Sequence, residues 1–227
     1  MLLTIPDVLT PDEVAGFHRQ LDHANWIDGA ATAGAQSGAV KHNQQLDHND
    51  ALARKLGDLV LDALAKNPRF ISAALPAKIF PPLFNKYEHG GNFGAHVDNA
   101  IRAVPGTPTR IRTDLSATLF LTAPETYDGG ELEIETPFGA QAVKLPAGSM
   151  VLYPSSSLHR VTPVTKGARI AAFFWMQSMI RLAEDRAILF DMDQSIQTLA
   201  AEKGMNDAVV LSLSAAYHNL VRRLADA

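Results

Sequence analysis

Cysteine is absent from the 227 residues. That excludes disulfides and thiolate metal sites, so a bound metal must be held by His, Asp or Glu, and the chain bears no mark of an oxidising compartment. There is no surplus of base either: 20 Lys+Arg stand against 24 Asp+Glu, for a net charge of -4. The charge balance therefore gives no reason to expect nucleic acid or an anionic membrane as a partner. No uncharged apolar run approaches the ~20 residues of a membrane span. The stretch Met1 to Asp7 has no basic segment and its apolar run stops at Pro6, which is not the pattern of a secretory signal. The expectation is a cytoplasmic protein.

Internal repeats and low-complexity tracts are also lacking. What remains is ordinary for a globular chain, 47% hydrophobic and 19% charged, and long enough to bury a sizeable core. Thr10-Pro11-Asp12-Glu13 reads as a helix start, with Thr10 as N-cap, Pro11 in the first turn and Glu13 closing a capping box. Val14, Phe17 and Leu21 follow at helical spacing. The Gly/Ala-rich stretch from Gly29 to Gly38 reads as loop. A polar run from Lys41 to Asp50 then leads into a second helix, with Leu52, Leu56, Leu59, Val60 and Leu64 on one face and an end near Asn67-Pro68.

From Phe70 onward the texture changes. About eight short runs rich in Ile, Val, Phe, Leu and Thr, separated by Pro/Gly punctuation, predict a β sandwich or barrel rather than βα alternation. The runs are 79–87, 93–98, 111–121, 131–135, 140–145, 149–153, 159–164 and 169–176. The segment Asn99 to Thr109 reads as the longest irregular connection. After Ile180 two helical stripes appear, Ile188, Leu189, Met192, Ile196 and Leu199, then Val209, Val210, Leu213, Tyr217, Leu220, Val221 and Leu224. Gly204 separates them and Asn206 or Asp207 caps the second. The implied organisation is an N-terminal helical flank (1–69), a β core (70–180) and a C-terminal helical unit (181–227). The last packs on itself and the core, or serves as a homo-oligomer interface.

His96 and Asp98 are two apart in a strand-like run, so on a strand both side chains leave one face. Together with an imidazole from a distant strand they make the facial triad of non-haem Fe(II) chemistry, three ligands on one side and open positions on the other. The motif alone is weak, because the chain contains a second, His48-Asn49-Asp50. That one lies at a helix entrance, where Asn49 or Asp50 is better explained as an N-cap. His18, His23, His42, His89 and His218 lack a partner pattern. Gly90, Gly91 and Gly94 have no βαβ context and read as turn and close-packing residues.

The ordered set is more specific: Asn85-Lys86-Tyr87, Gly94-Ala95-His96-Val97-Asp98-Asn99-Ala100, Asp128-Gly129-Gly130-Glu131-Leu132, Tyr153-Pro154-Ser155-Ser156-Ser157-Leu158-His159, and Arg169. In this set the chain resembles the Fe(II)/2-oxoglutarate-dependent dioxygenases of the prolyl 4-hydroxylase type, and more closely the bacterial PKHD-type hydroxylases, a group associated with iron-uptake loci. The resemblance implies a double-stranded β-helix, or jelly roll, with flanking helices. It implies that His96, Asp98 and His159 ligate Fe(II), that Arg169 pairs with the distal carboxylate of 2-oxoglutarate, and that Tyr87 hydrogen-bonds the same carboxylate. O2 and a small-molecule or peptidyl substrate would be the reactants, and L-ascorbate an auxiliary reductant. An arginine suits a dicarboxylic cosubstrate because it is planar, permanently charged and bidentate. Asp98 in place of a small apolar residue favours hydroxylation over halogenation.

Two other readings are open to the sequence: a non-catalytic jelly-roll sensor of metal or cosubstrate, and a cupin-like metalloenzyme that does not use 2-oxoglutarate. Arg169 argues against the second. Arg102, Arg110 and Arg112, in or beside the segment after Asp98, read either as substrate-facing lid residues or as solvated surface charges.

Overall fold

The computed structural model describes residues 1–29 and 40–226. All of the predicted Gly29–Gly38 loop except Gly29 lies outside that range. The chain begins with β1 (Leu3–Ile5), α1 (Pro11–Leu21), β2 (Trp26–Asp28), β3 (Lys41–His42) and β4 (Gln44–Leu46), followed by α2 (Ala51–Ala65) and α3 (Pro68–Ala74). The middle holds β5 (Pro76–Ile79), β6 (Leu83–Glu88), β7 (Asn92–His96), β8 (Ile101–Ala103), β9 (Arg110–Arg112), β10 (Leu115–Phe120) and β11 (Asp128–Gly129). Then come β12 (Leu132–Thr136), β13 (Gly139–Val143), β14 (Met150–Pro154), β15 (His159–Val161), β16 (Val164–Lys166) and β17 (Ala168–Ser178), and last α4 (Ala183–Lys203) and α5 (Ala208–Leu224).

Two antiparallel sheets make the body. The larger runs β1-β14-β10-β17-β6-β4-β2 with β5 beside β17, and the smaller runs β13-β12-β15-β7-β3. This is the expected mainly-β jelly roll with flanking helices. Alternation along the central strands sorts the side chains. Ile170, Ala172, Phe174 and Met176 of β17, with Leu115, Ala117 and Leu119 of β10, join the core under α1, α2 and α3, where Phe17, Leu56, Val60 and Phe70 meet them. Tyr87, Phe120, Val151 and Tyr153 turn the other way and meet Ile134 and Val161 of the smaller sheet.

The helix caps follow the sequence. The Thr10 side chain accepts from Glu13 N, and Glu13 Oε2 accepts from Thr10 N at 2.7 Å. Asp50 caps α2 through Leu52 N at 2.8 Å, and Asp207 caps α5.

Four expectations need correction. The Lys41–Asp50 run holds β3 and β4, which pair with β7 and β6. The chain does not turn to strand at Phe70, because Asn67 caps the short helix α3. Asn99–Thr109 is not irregular: β8 and β9 pair as a hairpin, Arg102 opposite Ile111. In the helical stripes Leu59, Ile188, Val209 and Leu213 are exposed, while Leu189, Ile196, Ala200, Val210 and Tyr217 form the buried seam between α4 and α5. No helix among the described residues is long and apolar enough to cross a membrane.

Candidate active site

β7 and β15 are neighbours in the smaller sheet, and their register sets His96 opposite His159. The two rings lie 4.2 Å apart between centroids. Asp98 reaches the same place, with Oδ2 3.8 Å from His159 Nε2. One ligand atom from each of the three lies within 4.8 Å of the others. The shared-face argument for His96 and Asp98 is only half right, because β7 ends at His96 and Asp98 stands beyond it. The chain there is fixed otherwise: Thr113 Oγ1 donates to Asn99 O at 2.6 Å and Thr113 N donates to Ala100 O at 2.9 Å.

Each imidazole is oriented by backbone. His96 Nδ1 is 2.8 Å from Gly94 O, and His159 Nδ1 is 3.0 Å from Ser157 O. A carbonyl can only accept, so Nδ1 carries the proton in both rings and Nε2 keeps the lone pair that a metal needs. Phe93 stacks on His96 at 3.6 Å between centroids and Tyr153 meets His159 edge-on at 5.2 Å. Burial first, and then the neighbouring His159, push the His96 pKa down to about 4, so the ring is neutral at pH 7.

The carboxylate has its own support, which sequence reasoning missed. Ser116 Oγ donates to Asp98 Oδ2 at 2.6 Å and lies 2.7 Å from Ser155 Oγ. Since the single Ser116 proton goes to the carboxylate, Ser155 donates to Ser116. Both serines are buried. The available signal was the pair Ser116 and Thr118, polar at period two in an otherwise apolar strand.

Arg169 sits on β17 opposite Tyr87 of β6 and is 1% exposed. Its guanidinium carbon is 5.3 Å from the Tyr87 ring centroid and 5.0 Å from that of Phe120. Its Nε and Nη1, and the Tyr127 hydroxyl, are buried without a hydrogen-bond partner. Gly130, at φ +70°, leaves room for the arginine stem, since a Cβ there would stand 3.0 Å from Arg169 Cδ. One pocket between the sheets is lined by His96, Asp98 and His159 and by Tyr87 and Arg169, with Lys41, Asn85, Phe173 and Trp175. A permanent cation with orphaned donors, buried in the wall of a pocket, fits a ligand carboxylate. The His-Asp-His cluster in the same pocket fits a metal taking imidazole and carboxylate, such as iron. Burial raises the Tyr87 pKa although the Arg169 charge opposes it, so Tyr87 stays a phenol that can donate.

The other sequence candidates separate. Asp50 is spent as a helix cap, and His48 and Asp50 belong to no metal-holding cluster among the described residues. His18 meets Leu121 O through Nε2 at 2.6 Å, a packing role. Arg112 forks onto Asp114 at 2.7 and 3.0 Å, so it anchors the hairpin; Arg110 is exposed; Arg102 stacks on Trp175.

A jelly roll carrying a His-Asp-His cluster and a buried arginine in one pocket defines the 2-oxoglutarate- and iron-dependent oxygenase class. The 2OG-Fe(II) oxygenase superfamily pattern matches residues 82–177, and that of the PKHD-type hydroxylase C-terminal domain matches residues 184–226. A PKHD-type hydroxylase of Burkholderia cenocepacia (strain HI2424) is 59% identical over 227 residues, covering 100% of both chains. The chain belongs to the PKHD-type hydroxylases, a family of dioxygenases whose class implies Fe(II) and 2-oxoglutarate. Solved structures agree on the fold. A Pseudomonas putida prolyl-4-hydroxylase superposes with a TM-score of 0.51 at 19% identity, over 78% of this chain and 92% of that one. A prolyl hydroxylase from Trichoplax adhaerens gives 0.54 at 12% identity, over 82% and 86%.

Proposed function

We propose that the chain hydroxylates a second substrate, a small molecule or a peptidyl residue, with conversion of 2-oxoglutarate and O2 to succinate and CO2. His96, Asp98 and His159 hold the iron, and Arg169 with Tyr87 receives the distal carboxylate of 2-oxoglutarate. One observation carries the reading: Arg169, buried with two unpartnered N–H donors, shares a pocket with the three ligand residues. When bound, the iron would supply the redox chemistry that couples oxidation of the keto acid to that of the second substrate.

The protein's own work is positioning. The Gly94 and Ser157 carbonyls hold the two imidazoles with Nε2 forward, and Ser116 holds the Asp98 carboxylate. Phe93, Phe173 and Trp175 wall the pocket with apolar surface, which excludes water from the reacting centre and strengthens each charge interaction inside it. Tyr87 and the Tyr127 hydroxyl stand beside Arg169 and can add neutral donors to its fork.

L-Ascorbate as auxiliary reductant, a cytoplasmic site of action and the division at residues 69/70 and 180/181 belong to the same reading. So does a homo-oligomer through the C-terminal helices, supported by Ile188, Val209 and Leu211, which stay 61%, 49% and 54% exposed. The test is succinate formation from 2-oxoglutarate with added Fe(II), against a metabolite and peptide panel, with Asp98→Ala as control. Succinate in the wild type and none in the control is expected. Full activity in Asp98→Ala would refute the metal assignment.

A further inference from the structure

Arg102 leaves the first strand of the hairpin that follows Asp98, and it is not a solvated surface charge. Its guanidinium carbon lies 3.7 Å from the Trp175 ring centroid and 5.1 Å from that of Phe80. Trp175 is itself fixed, with Phe80 and Phe173 edge-on at 5.6 and 5.5 Å and Ile111 in the same apolar cluster. Arg102 Nε is buried with no hydrogen-bond partner. Among the described residues no carboxylate oxygen lies within 4.0 Å of its nitrogens, whereas Arg112 and Arg160 each have such a partner.

Trp175 and the arginine stacked on it face two different spaces. Its ring walls the pocket that holds His96, Asp98 and His159, while Arg102 lines a groove outside it with Leu46, Phe80 and Val104. Lys41, 6% exposed, brings a second cation into the inner pocket, its ammonium 5.4 Å from the Phe93 ring centroid and 5.8 Å from that of Phe173. Burial and then the charge of Arg102 push the Lys41 pKa down to about 8, with Asp28 and Asp98 pulling the other way. Asp98 is also the charge that acts favourably on Arg102. Asp28 thus answers Lys41 ahead of Asp98, whereas the only carboxylate acting on Arg102 is Asp98, which the proposed function commits to the iron. A guanidinium stacked on an indole keeps its edge available, and that edge is the part that recognises planar oxyanions.

We infer that Arg102, stacked on Trp175 beside Lys41, is the recognition point for the primary substrate, and that this substrate carries a carboxylate close to the carbon to be oxidised. The inference rests on the iron and 2-oxoglutarate reading, in which Asp98 is taken by the metal and the Arg102 guanidinium is left to receive an anion. Apolar Phe80, Phe173 and Trp175 around the cation call for a short apolar body next to that carboxylate.

The chain has two tryptophans, so Trp26→Phe leaves Trp175 as the sole indole reporter. Benzoate and its neutral isostere benzamide are titrated into the Mn(II)-loaded Trp26→Phe protein, with and without saturating 2-oxoglutarate, and the tryptophan emission is followed. Benzoate is expected to bind at least tenfold more tightly than benzamide. Arg102→Gln is expected to reduce that preference below threefold, Arg102→Lys to leave an intermediate value, and Arg169→Gln to leave it intact. Equal binding of the two probes, no binding of either, or a preference that survives Arg102→Gln overturns the inference. So does a preference lost in Arg169→Gln, which would place benzoate in the cosubstrate pocket. Failure of 2-oxoglutarate itself to bind the metal-loaded protein refutes the proposed function, and the titrations without it still decide the role of Arg102.

Discussion

Replacing Arg169 by methionine should make the ligand-free protein more stable and the 2-oxoglutarate complex far weaker. Without ligand, the guanidinium is buried, two of its nitrogens lack partners, and the Tyr87 and Phe120 rings are what faces it. Cation–π contacts return roughly 0.5–2 kcal/mol each, which does not cover the several kcal/mol that an uncompensated buried ion costs. Methionine is unbranched, fills much of the same volume and carries no charge. A gain of about 1–3 kcal/mol follows from removing the ion, read as roughly 2–4 °C in Tm per kcal/mol for a chain of this size.

With ligand the sign reverses. The two orphaned donors meet a carboxylate in two charge-assisted hydrogen bonds, each worth about 1.5–3 kcal/mol, so their joint loss weakens 2-oxoglutarate by roughly two to four orders of magnitude. Arg169→Lys keeps the charge but loses the fork, and should fall between, at about 10- to 100-fold. The assay is calorimetric titration of 2-oxoglutarate into Mn(II)-loaded protein, paired with melting curves at zero and saturating cosubstrate. The wild type gains about 2.7 kcal/mol at a hundredfold excess over its Kd, whereas Arg169→Met at the same concentration should gain less than about 0.5 kcal/mol, so the cosubstrate-dependent rise in Tm is almost lost. Binding within threefold of wild type in Arg169→Met would show that the cosubstrate does not use this arginine. A marked drop in ligand-free Tm would show that Arg169 is a structural keystone instead.

Two further outcomes are expected. Ser116→Ala removes the hydroxyl that orients Asp98 and should weaken Mn(II) binding about 10- to 100-fold, measured by titration; an unchanged Kd, with Ser155→Ala equally silent, would mean that the serines only pack. The metal-free protein should lose stability as pH falls from 6.5 to about 4. His96 titrates near 4 when folded and near 6.5 in the unfolded chain, so between those values the unfolded state binds a proton that the folded state does not. Urea midpoints in EDTA at pH 7 and pH 5 report this, and a His96→Gln variant with the same drop in midpoint would show that the ring is not its source.

What the sequence showed and what it hid divide by the range of the interaction concerned. Thr10 and Glu13 are three residues apart, so their capping box was legible, and so was the Asp50 cap. Lys41–Leu46 looked like a polar run because the partners that make it strand, β7 and β6, lie some fifty and forty residues downstream. The hairpin after Asp98 looked irregular because Pro105 and Gly106 dominate its centre, yet they only form its tip, and Gly106 takes a φ of +71° there. His96, Asp98, His159 and Arg169 could be picked out because metal-ligating and carboxylate-pairing residue types are recognisable one by one. Ser116, Ser155, Tyr127 and Trp175 could not, since a serine in a strand or a tryptophan near its end has an ordinary packing explanation until register places it beside a charge.

Register is also what makes the site one object rather than four residues. On β17 the even positions from Ile170 to Met176 belong to the helix-facing core, while Arg169, Phe173 and Trp175 line the pocket, which Phe174 also touches. Small Ala171, between Asn85 and Phe120 in the ladders, keeps the same face open. A single strand therefore carries the buried Arg169 cation, the space beside it and the aromatic wall against which Arg102 rests. A slip of one residue would exchange every one of these for an aliphatic or aromatic core side chain and drive the Arg169 charge into the helix-packed layer. The register that pairs this strand with β6 and β10 thus also fixes the order of cation, open space and indole along the pocket. The separation of Arg169 from Trp175 along the pocket is set by the geometry of one strand.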